Sequence, residues 1–381
     1  MSRALRLAVL LASLAGCGEP ARIGAIVSRS GAAAAYGEQV RRGFDLAVGE
    51  INADGGVRGR QLELLYRDDA TNPDVGLSAL RDLVDHEHAR IVLGAVSSSV
   101  TLQLAPYCER RQVLLLSPSA SAPQITSAGD FVFRTYPSDV FEAASMADFA
   151  RDLGLDRVAV LAVDTDDGAS LASVFGERFR ASGGGVVAVL TFPEGDQAAI
   201  RDAVEALSGL NPRGVYVPAL TSDLATVLTL LRSGKSHPIV LGTSTVTPDL
   251  VRLAGPASDN LVFPMPSFDP DADDPTVRAF VSAYRTRYGT PPDVYAAHAY
   301  DAVRVLATAV ERAGSWEVVD VRDALLSIDH YEGVTGHMAF DRNGDIVQYP
   351  RLYVARGGRF LPYDRFIENG GSLPIPGRPS R

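Results

Sequence analysis

Short apolar runs that read as β-strands alternate with helix-like stretches along most of the chain, and no other property narrows the fold so far. Parallel strands can be joined only through crossovers of a dozen or more residues, so this rhythm calls for parallel sheets covered by helices, an α/β class. The candidate strands are Arg22 to Val27, Leu62 to Arg67, Ile91 to Ala95, Val113 to Ser117, Val158 to Val163, Gly185 to Thr191, Gly214 to Pro218, Ile239 to Gly242 and Asn260 to Pro264. Between them, Gln39 to Asn52 and Asp223 to Ser233 place apolar residues at helical spacing. A stretch rich in Pro, Asp and Ser from Pro264 to Pro275 marks a crossover, followed by a helix over Thr276 to Tyr288.

The segment from Ile51 to Pro73 is the most specific. Gly55, Gly56 and Gly59 suit a tight turn after a helix, and Leu62, Leu64 and Tyr66 then alternate with polar residues as a half-buried strand does. In its length and order, from Ile51-Asn52-Ala53-Asp54-Gly55-Gly56 through Asp68-Asp69-Ala70-Thr71-Asn72-Pro73, it resembles the solute-binding proteins of branched-chain amino acid ABC transporters. That resemblance implies the type I periplasmic-binding-protein fold, two Rossmann-like lobes with parallel sheets joined by hinge strands. It places a first lobe at about residues 22–139 and 268–348 and a second at 140–267 and 349–372, with Ile346 to Val354 as the last crossing strand and 373–381 as a flexible tail.

The chain start reads differently. Arg3 and Arg6 precede an apolar run from Leu7 to Leu14, and Leu14-Ala15-Gly16-Cys17 resembles the lipobox at which bacterial lipoprotein signals are cut and the cysteine acylated. Residues 1–16 are therefore expected to be a signal peptide and Cys17 a lipidation site, leaving an extracytoplasmic, lipid-anchored monomer. The apolar run is far shorter than the roughly 20 residues that span a bilayer. Lys and Arg number 36 against 46 acids, for a formal net charge of −10, and loss of Arg3 and Arg6 makes it more negative still. This balance argues against a nucleic-acid partner. With Cys17 acylated, Cys108 has no cysteine to pair with. Amino acid binders of the resembled family carry a disulfide between the loops occupied here by Thr71 and Ser97, so this chain departs from them.

Parallel α/β sheets bind ligands at the carboxyl ends of their strands, where helix N-termini present unpaired N–H groups. Ser97-Ser98-Ser99 follows the strand at Ile91, and Ser117-Pro118-Ser119-Ala120-Ser121 follows the one at Val113. Serine hydroxyls with helix-end amides suit a carboxylate, although N-capping is their commonest use. The resemblance gives Ser98 the ligand carboxylate, and Ser119, Ala120 and Ser121 the carboxylate and α-amino group. It puts Tyr36 over the ligand, with a surface-turn aromatic as the equal alternative. Tyr295 begins a Tyr-Asp-Ala-like segment with His298, Tyr300 and Asp301; Tyr300 reads as core and Tyr295 as reaching the ligand.

The second lobe matches less well. Where relatives carry an aromatic before Gly168, this chain has Asp167, and where amino acid binders often place an acid for the ligand ammonium it reads Gly242-Thr243-Ser244-Thr245. A buried unpaired ammonium costs several kcal/mol, so a zwitterion site needs a carboxylate somewhere. Asp167 is a candidate supplier beside Ser244, and a solvated turn aspartate is its alternative. A carboxylic acid or amide without an amine is the rival ligand.

Other motifs carry less. Gly234-Lys235-Ser236 lacks the earlier glycine of a P-loop, since position 229 is Thr. Asp341-Arg342-Asn343-Gly344-Asp345 starts like a calcium loop but has Leu352 at its twelfth position, so a hairpin turn is expected. His86 and His88 lack a third ligand at suitable spacing, and Asp269 to Asp274 reads as a charged linker; no metal and no cofactor is expected. A serine hydrolase using Ser98 or Ser119 with His298 remains a remote alternative, without a Gly-x-Ser-x-Gly elbow. The reading is a non-enzymatic binding protein that captures a branched-chain or related amino acid between closing lobes and delivers it to an ABC transporter permease. A lipid-anchored ligand sensor of the same fold is the alternative.

Overall fold

The computed structural model describes residues 19–234 and 237–376, so the expected signal peptide at 1–16, Cys17 and residues 377–381 lie outside it. The chain opens with β1 (Ala21–Val27), α1 (Ala34–Ala53), β2 (Leu62–Asp68), α2 (Pro73–Asp85), β3 (Ile91–Leu93), α3 (Ser98–Arg111), β4 (Leu114–Ser117) and β5 (Val132–Arg134). It continues through α4 (Asp139–Asp152), β6 (Arg157–Val163), α5 (Asp166–Ala181), β7 (Gly185–Phe192), α6 (Gln197–Leu207), β8 (Gly214–Tyr216) and α7 (Thr221–Ser233). Then come β9 (Ile239–Leu241), α8 (Asp249–Ala254), β10 (Val262–Met265), α9 (Pro275–Tyr288), α10 (Val294–Ala313) and α11 (Val318–Leu326). The last elements are β11 (Tyr331–Gly333), β12 (Gly336–Met338), β13 (Arg351–Arg356), β14 (Arg359–Pro362) and α12 (Tyr363–Glu368).

The chain divides into two compact units, one running through Tyr136 and again over Phe268–Gln348, the other over Pro137–Ser267 and from Tyr349 onward. The first unit holds a five-stranded sheet in the order β2-β1-β3-β4-β5, every pair parallel. Alternation along each strand feeds two cores. Ile23, Leu93, Leu114 and Leu116 face the layer containing α1 and α10, while Ile26, Val92 and Leu115 face α2 and α3. α1 and α10 lie close enough that a side chain at Gly43 would collide with the Ala296 carbonyl, which is why a glycine stands there. Tyr300 is buried and donates to Glu50 at 2.5 Å, tying the two helices at one end.

The return of the chain from Phe268 to Gln348 is fixed by a buried ion pair. Arg134, at the end of β5, is fully buried and donates to both carboxylate oxygens of Asp345 at 2.7 Å, and to the Ala122 carbonyl at 2.9 Å. The Asp341–Asp345 segment is a turn in which Asp341 accepts from the amides of Asn343 and Asp345. Asp345 is thus spent on Arg134. The next regular strand, β13, begins at Arg351, five residues after the Ile346 start expected from sequence, and the intervening residues include buried Ile346 and Gln348.

The second unit holds a seven-stranded sheet in the order β14-β13-β10-β9-β8-β6-β7. β6 to β10 pair in parallel, and β13 and β14 join antiparallel at one edge. Ala159, Leu161, Val215 and Val240 face one core; Val158, Val160, Tyr216 and Leu241 face the other. Leu373, expected from sequence to belong to the tail, is an apolar residue buried in this second core, with Ile375 packed against it. No helix among the described residues is long and apolar enough to cross a membrane.

Candidate functional site

In the first unit β1, β3 and β4 are adjacent, so the segments leaving their carboxyl ends share one edge of the sheet. β3 leaves the sheet at Leu93, two residues earlier than the sequence pattern indicates, and Ser97 caps α3, accepting from the Val100 amide at 3.4 Å. Ser98, the first residue of the helix, does something a cap does not. Its hydroxyl oxygen accepts from the backbone amides of Ser121 and Ala122, both at 3.2 Å, joining the two serine segments through one atom. With its oxygen accepting twice, the Ser98 hydroxyl still has a hydrogen to donate.

The neighbouring serines divide into two kinds. Ser117 donates to the Ala95 carbonyl at 2.8 Å and accepts from the amides of Ser119 and Ala120, while Ser119 donates to the Val96 carbonyl at 2.8 Å. Ser119 and Ala120 are buried, and their donors are committed to the protein. Ser121 is half-buried, and its amide is the one held by Ser98. Ser98 and Ser121 therefore present the accessible polar groups, and Ser117 and Ser119 hold the loop in shape.

Aromatic rings gather in the same unit. Tyr36, 45% exposed, lies near the start of α1, and its ring centroid is 4.8 Å from that of Tyr295. Tyr295 stacks on Tyr136 at 6.0 Å and 5°, and Tyr136 lies 4.8 Å from His298. Tyr136, just past the carboxyl end of β5, escapes sequence reading because no periodicity marks it. Burial pushes the Tyr295 hydroxyl up to about 12, so it stays a neutral donor. His298 is fully buried, with Nδ1 2.7 Å from the Thr135 carbonyl oxygen, and burial pushes its imidazole down to about 4. A neutral Nδ1–H donating to Thr135 fits both facts. Neither Ser98 nor Ser119 is hydrogen-bonded to His298, so the serine hydrolase arrangement is not assembled in this unit.

In the second unit Asp167 is exposed in the first turn of α5, behind the cap Thr165, which accepts from Gly168 at 3.1 Å. Ser244 follows the carboxyl end of β9 and is half-buried. Its amide donates to Glu142 Oε1 at 3.0 Å. A carboxyl group thus does stand at Ser244, brought there from the first turn of α4. Glu142 is 6% exposed; desolvation, and then the charge of Asp139, hold its carboxyl well above the usual carboxylate range. Tyr216 adds a buried hydroxyl without a hydrogen-bond partner among the described residues, raised in pKa by burial and by Glu142. In sequence Glu142 reads as an acid complementing a helix N-terminus, and nothing local connects it with Ser244.

A family model described as periplasmic binding protein matches residues 20–358. The chain belongs to that family. Among its relatives, this periplasmic binding protein is 30% identical to the leucine-, isoleucine-, valine-, threonine- and alanine-binding protein of Pseudomonas aeruginosa, over 84% of the chain and 85% of the relative. Among solved structures, it is similar to a putative branched-chain amino acid ABC transporter protein from Rhodospirillum rubrum, with 33% identity and a TM-score of 0.79, covering 90% of this chain and 99% of that one. It is also similar to the branched-chain amino acid transporter substrate-binding protein LivJ of Streptococcus pneumoniae in complex with isoleucine, with 26% identity, a TM-score of 0.73, and 90% and 97% coverage. The type I periplasmic-binding-protein fold follows from these matches and from the parallel sheets.

Proposed function

We infer that this chain is the extracytoplasmic substrate-binding protein of an ABC transporter, taking a branched-chain or related amino acid and delivering it to the permease. The observation that carries the reading is the Ser98 hydroxyl, which locks the Ser121 and Ala122 amides and keeps its own hydrogen for a ligand carboxylate. Ser121 adds a second hydroxyl, and Tyr36 and Tyr295 supply an aromatic face for an apolar side chain. The relatives' names, each stating branched-chain amino acid binding or transport, support the same ligand class.

For the ligand ammonium we assign Glu142, with Ser244 orienting it, ahead of the exposed Asp167. A few charge-assisted hydrogen bonds with burial of one aliphatic side chain give about micromolar affinity, roughly −8 kcal/mol. One observation favours a second reading. A protonated Glu142 donates a hydrogen bond instead of pairing with a cation, which suits a carboxylic acid or amide without an amine. We further propose that acylation at Cys17 anchors the protein, as a monomer, to a membrane; Cys17→Ser would then release it into the aqueous fraction.

Thermal unfolding of the purified chain against amino acids, their amides and amine-free acids decides between the two ligands. Ligand at 100 times its dissociation constant stabilises by about 2.7 kcal/mol. Stabilisation by leucine-like amino acids supports the zwitterion reading, stabilisation only by amine-free acids supports the second, and none by either class overturns both.

A further inference from the structure

Away from this site, a small hairpin of the first unit gathers two imidazoles and a carboxylate. β11 and β12 pair antiparallel with Glu332 directly opposite His337, and Gly333 opposite Gly336 closes the turn. Cross-strand partners point to the same face, which sets Glu332 beside His337, and His330 is the residue leading into β11, its Nε2 on the same Glu332 oxygen. Register thus joins Glu332 and His337, and the chain entering the hairpin adds His330. His337 Nδ1 lies 3.2 Å and His330 Nε2 3.6 Å from Glu332 Oε1, and one ligand atom from each residue fits within 4.8 Å of the others.

The backbone beneath them is held firmly. Asp301, buried in α10, accepts from the amides of Val334 and Thr335 at 3.0 and 2.9 Å and from the Thr335 hydroxyl at 2.7 Å, fixing the tip of the hairpin. Gln348 donates to the carbonyls of Thr335 and His337, at 2.8 and 3.2 Å, and fixes the strand that carries His337. The three side chains are exposed, so only their rotamers need to adjust to a guest.

We propose that His330, Glu332 and His337 bind a divalent transition-metal ion of the zinc, nickel and copper class. Two imidazoles and one carboxylate are ligands that such ions accept, and the exposed side of the cluster leaves a fourth position for water. With metal–nitrogen and metal–oxygen bonds near 2.0–2.2 Å, ligand atoms around a tetrahedral ion stand about 3.3 Å apart. The two distances to Glu332 already approach that spacing, and the imidazoles close the remainder by side-chain rotation. Sequence spacing does not disclose the cluster, because the eight residues from His330 to His337 include a chain reversal. The site is independent of the amino acid reading.

Titration of the purified full chain with Zn²⁺ against a competing chromophoric chelator, in a non-coordinating buffer near neutral pH, tests the assignment. One equivalent should bind, Glu332→Gln should weaken it about tenfold or more, and His330→Ala with His337→Ala should abolish it. Zn²⁺ should also raise the unfolding midpoint of the native chain and leave that of the double variant unmoved. Co²⁺ substituted for Zn²⁺ should give visible absorption in the native chain alone. No binding by the native chain, or equal binding by the folded double variant, overturns the proposal; because the replaced side chains are exposed, circular dichroism of the variants should match the native spectrum.

Discussion

Glu142 Oε1 lies 3.0 Å from the backbone nitrogen of Ser244, 102 residues further along the chain. A buried carboxyl whose ordinary acidity is suppressed by desolvation, and then by Asp139, responds strongly to a cation placed beside it. Because its pKa in the free protein is raised, Glu142 is protonated over a window above the usual carboxylate range, and pairing with an ammonium restores the lower value. Binding of an amino acid should therefore release a proton, and affinity should rise as pH rises from about 6 to about 8. Calorimetry in buffers of different ionisation heat reads that proton directly. Glu142→Gln should abolish the release and weaken amino acids far more than amine-free acids; unchanged proton release in this variant rules Glu142 out.

Ser98 and Ser119 make contrasting predictions. Ser98→Ala removes the donor for a ligand carboxylate and the acceptor for two amides, so affinity should fall by about 1.4–2.7 kcal/mol, ten- to a hundredfold. Ser121→Ala should also weaken binding strongly. Ser119→Ala loses only a bond to the Val96 carbonyl and should lower the unfolding midpoint with less effect on affinity. Equal losses of affinity at Ser98 and Ser119, measured by ligand-induced thermal shift, would contradict this division of labour.

The Arg134–Asp345 pair should behave as a buried charge pair does when one member is removed. Asp345→Asn leaves an uncompensated guanidinium in the core and should cost about 3–5 kcal/mol in denaturant unfolding. Replacing both residues by apolar ones of similar volume should cost much less than the single change. Similar losses in the two variants would place the stabilisation in the hydrogen bonds to Ala122 and Thr126 instead.

His298 should make the protein sensitive to acid. Its folded-state value, near 4, lies below the ordinary 6.5, so the unfolded chain binds a proton before the folded one does. The contribution of the neutral ring is complete above about pH 6.5 and is lost as pH falls toward 4, amounting to about 3 kcal/mol. Asp301 on the same helix, raised to about 6 by burial, opposes part of that slope. The informative measurement is thus the difference in the pH dependence of unfolding between the native chain and His298→Asn, which keeps a donor for Thr135. Parallel pH curves would show that the ring does not titrate as described.

The parallel strands and their flanking helices could be read in advance because burial on both faces leaves long apolar runs, as in Arg157–Val163. β5 could not, since three residues after Gly129-Asp130 carry too little pattern, and neither could the three-residue strands of the β11–β12 hairpin. Ser98 and Ser121 could be named as candidates because each lies just after an apolar strand in an order that resembles the family, while the bond that joins their segments could not. The part that was not legible lies in contacts across distance. Glu142 meets Ser244, Tyr136 stacks on Tyr295, and Asp345 meets Arg134, and in each case only the folded backbone makes neighbours of residues far apart in sequence. The spent donors of Ser119 and Ala120 were hidden for a related reason, since composition does not reveal where a hydroxyl points.

The packing of α1 against α10 also sets a schedule for synthesis. Val40, Phe44 and Ala47 on α1 are fully covered in the finished protein, yet the helix that helps cover them begins only at Val294. Residues Pro137–Ser267, most of the other unit, emerge in the interval. A growing chain thus carries an uncovered apolar stripe through more than half of its elongation, a surface that invites chaperones or aggregation. A chain terminated just before Val294 should be far less soluble than one terminated just after α10 at Ala313.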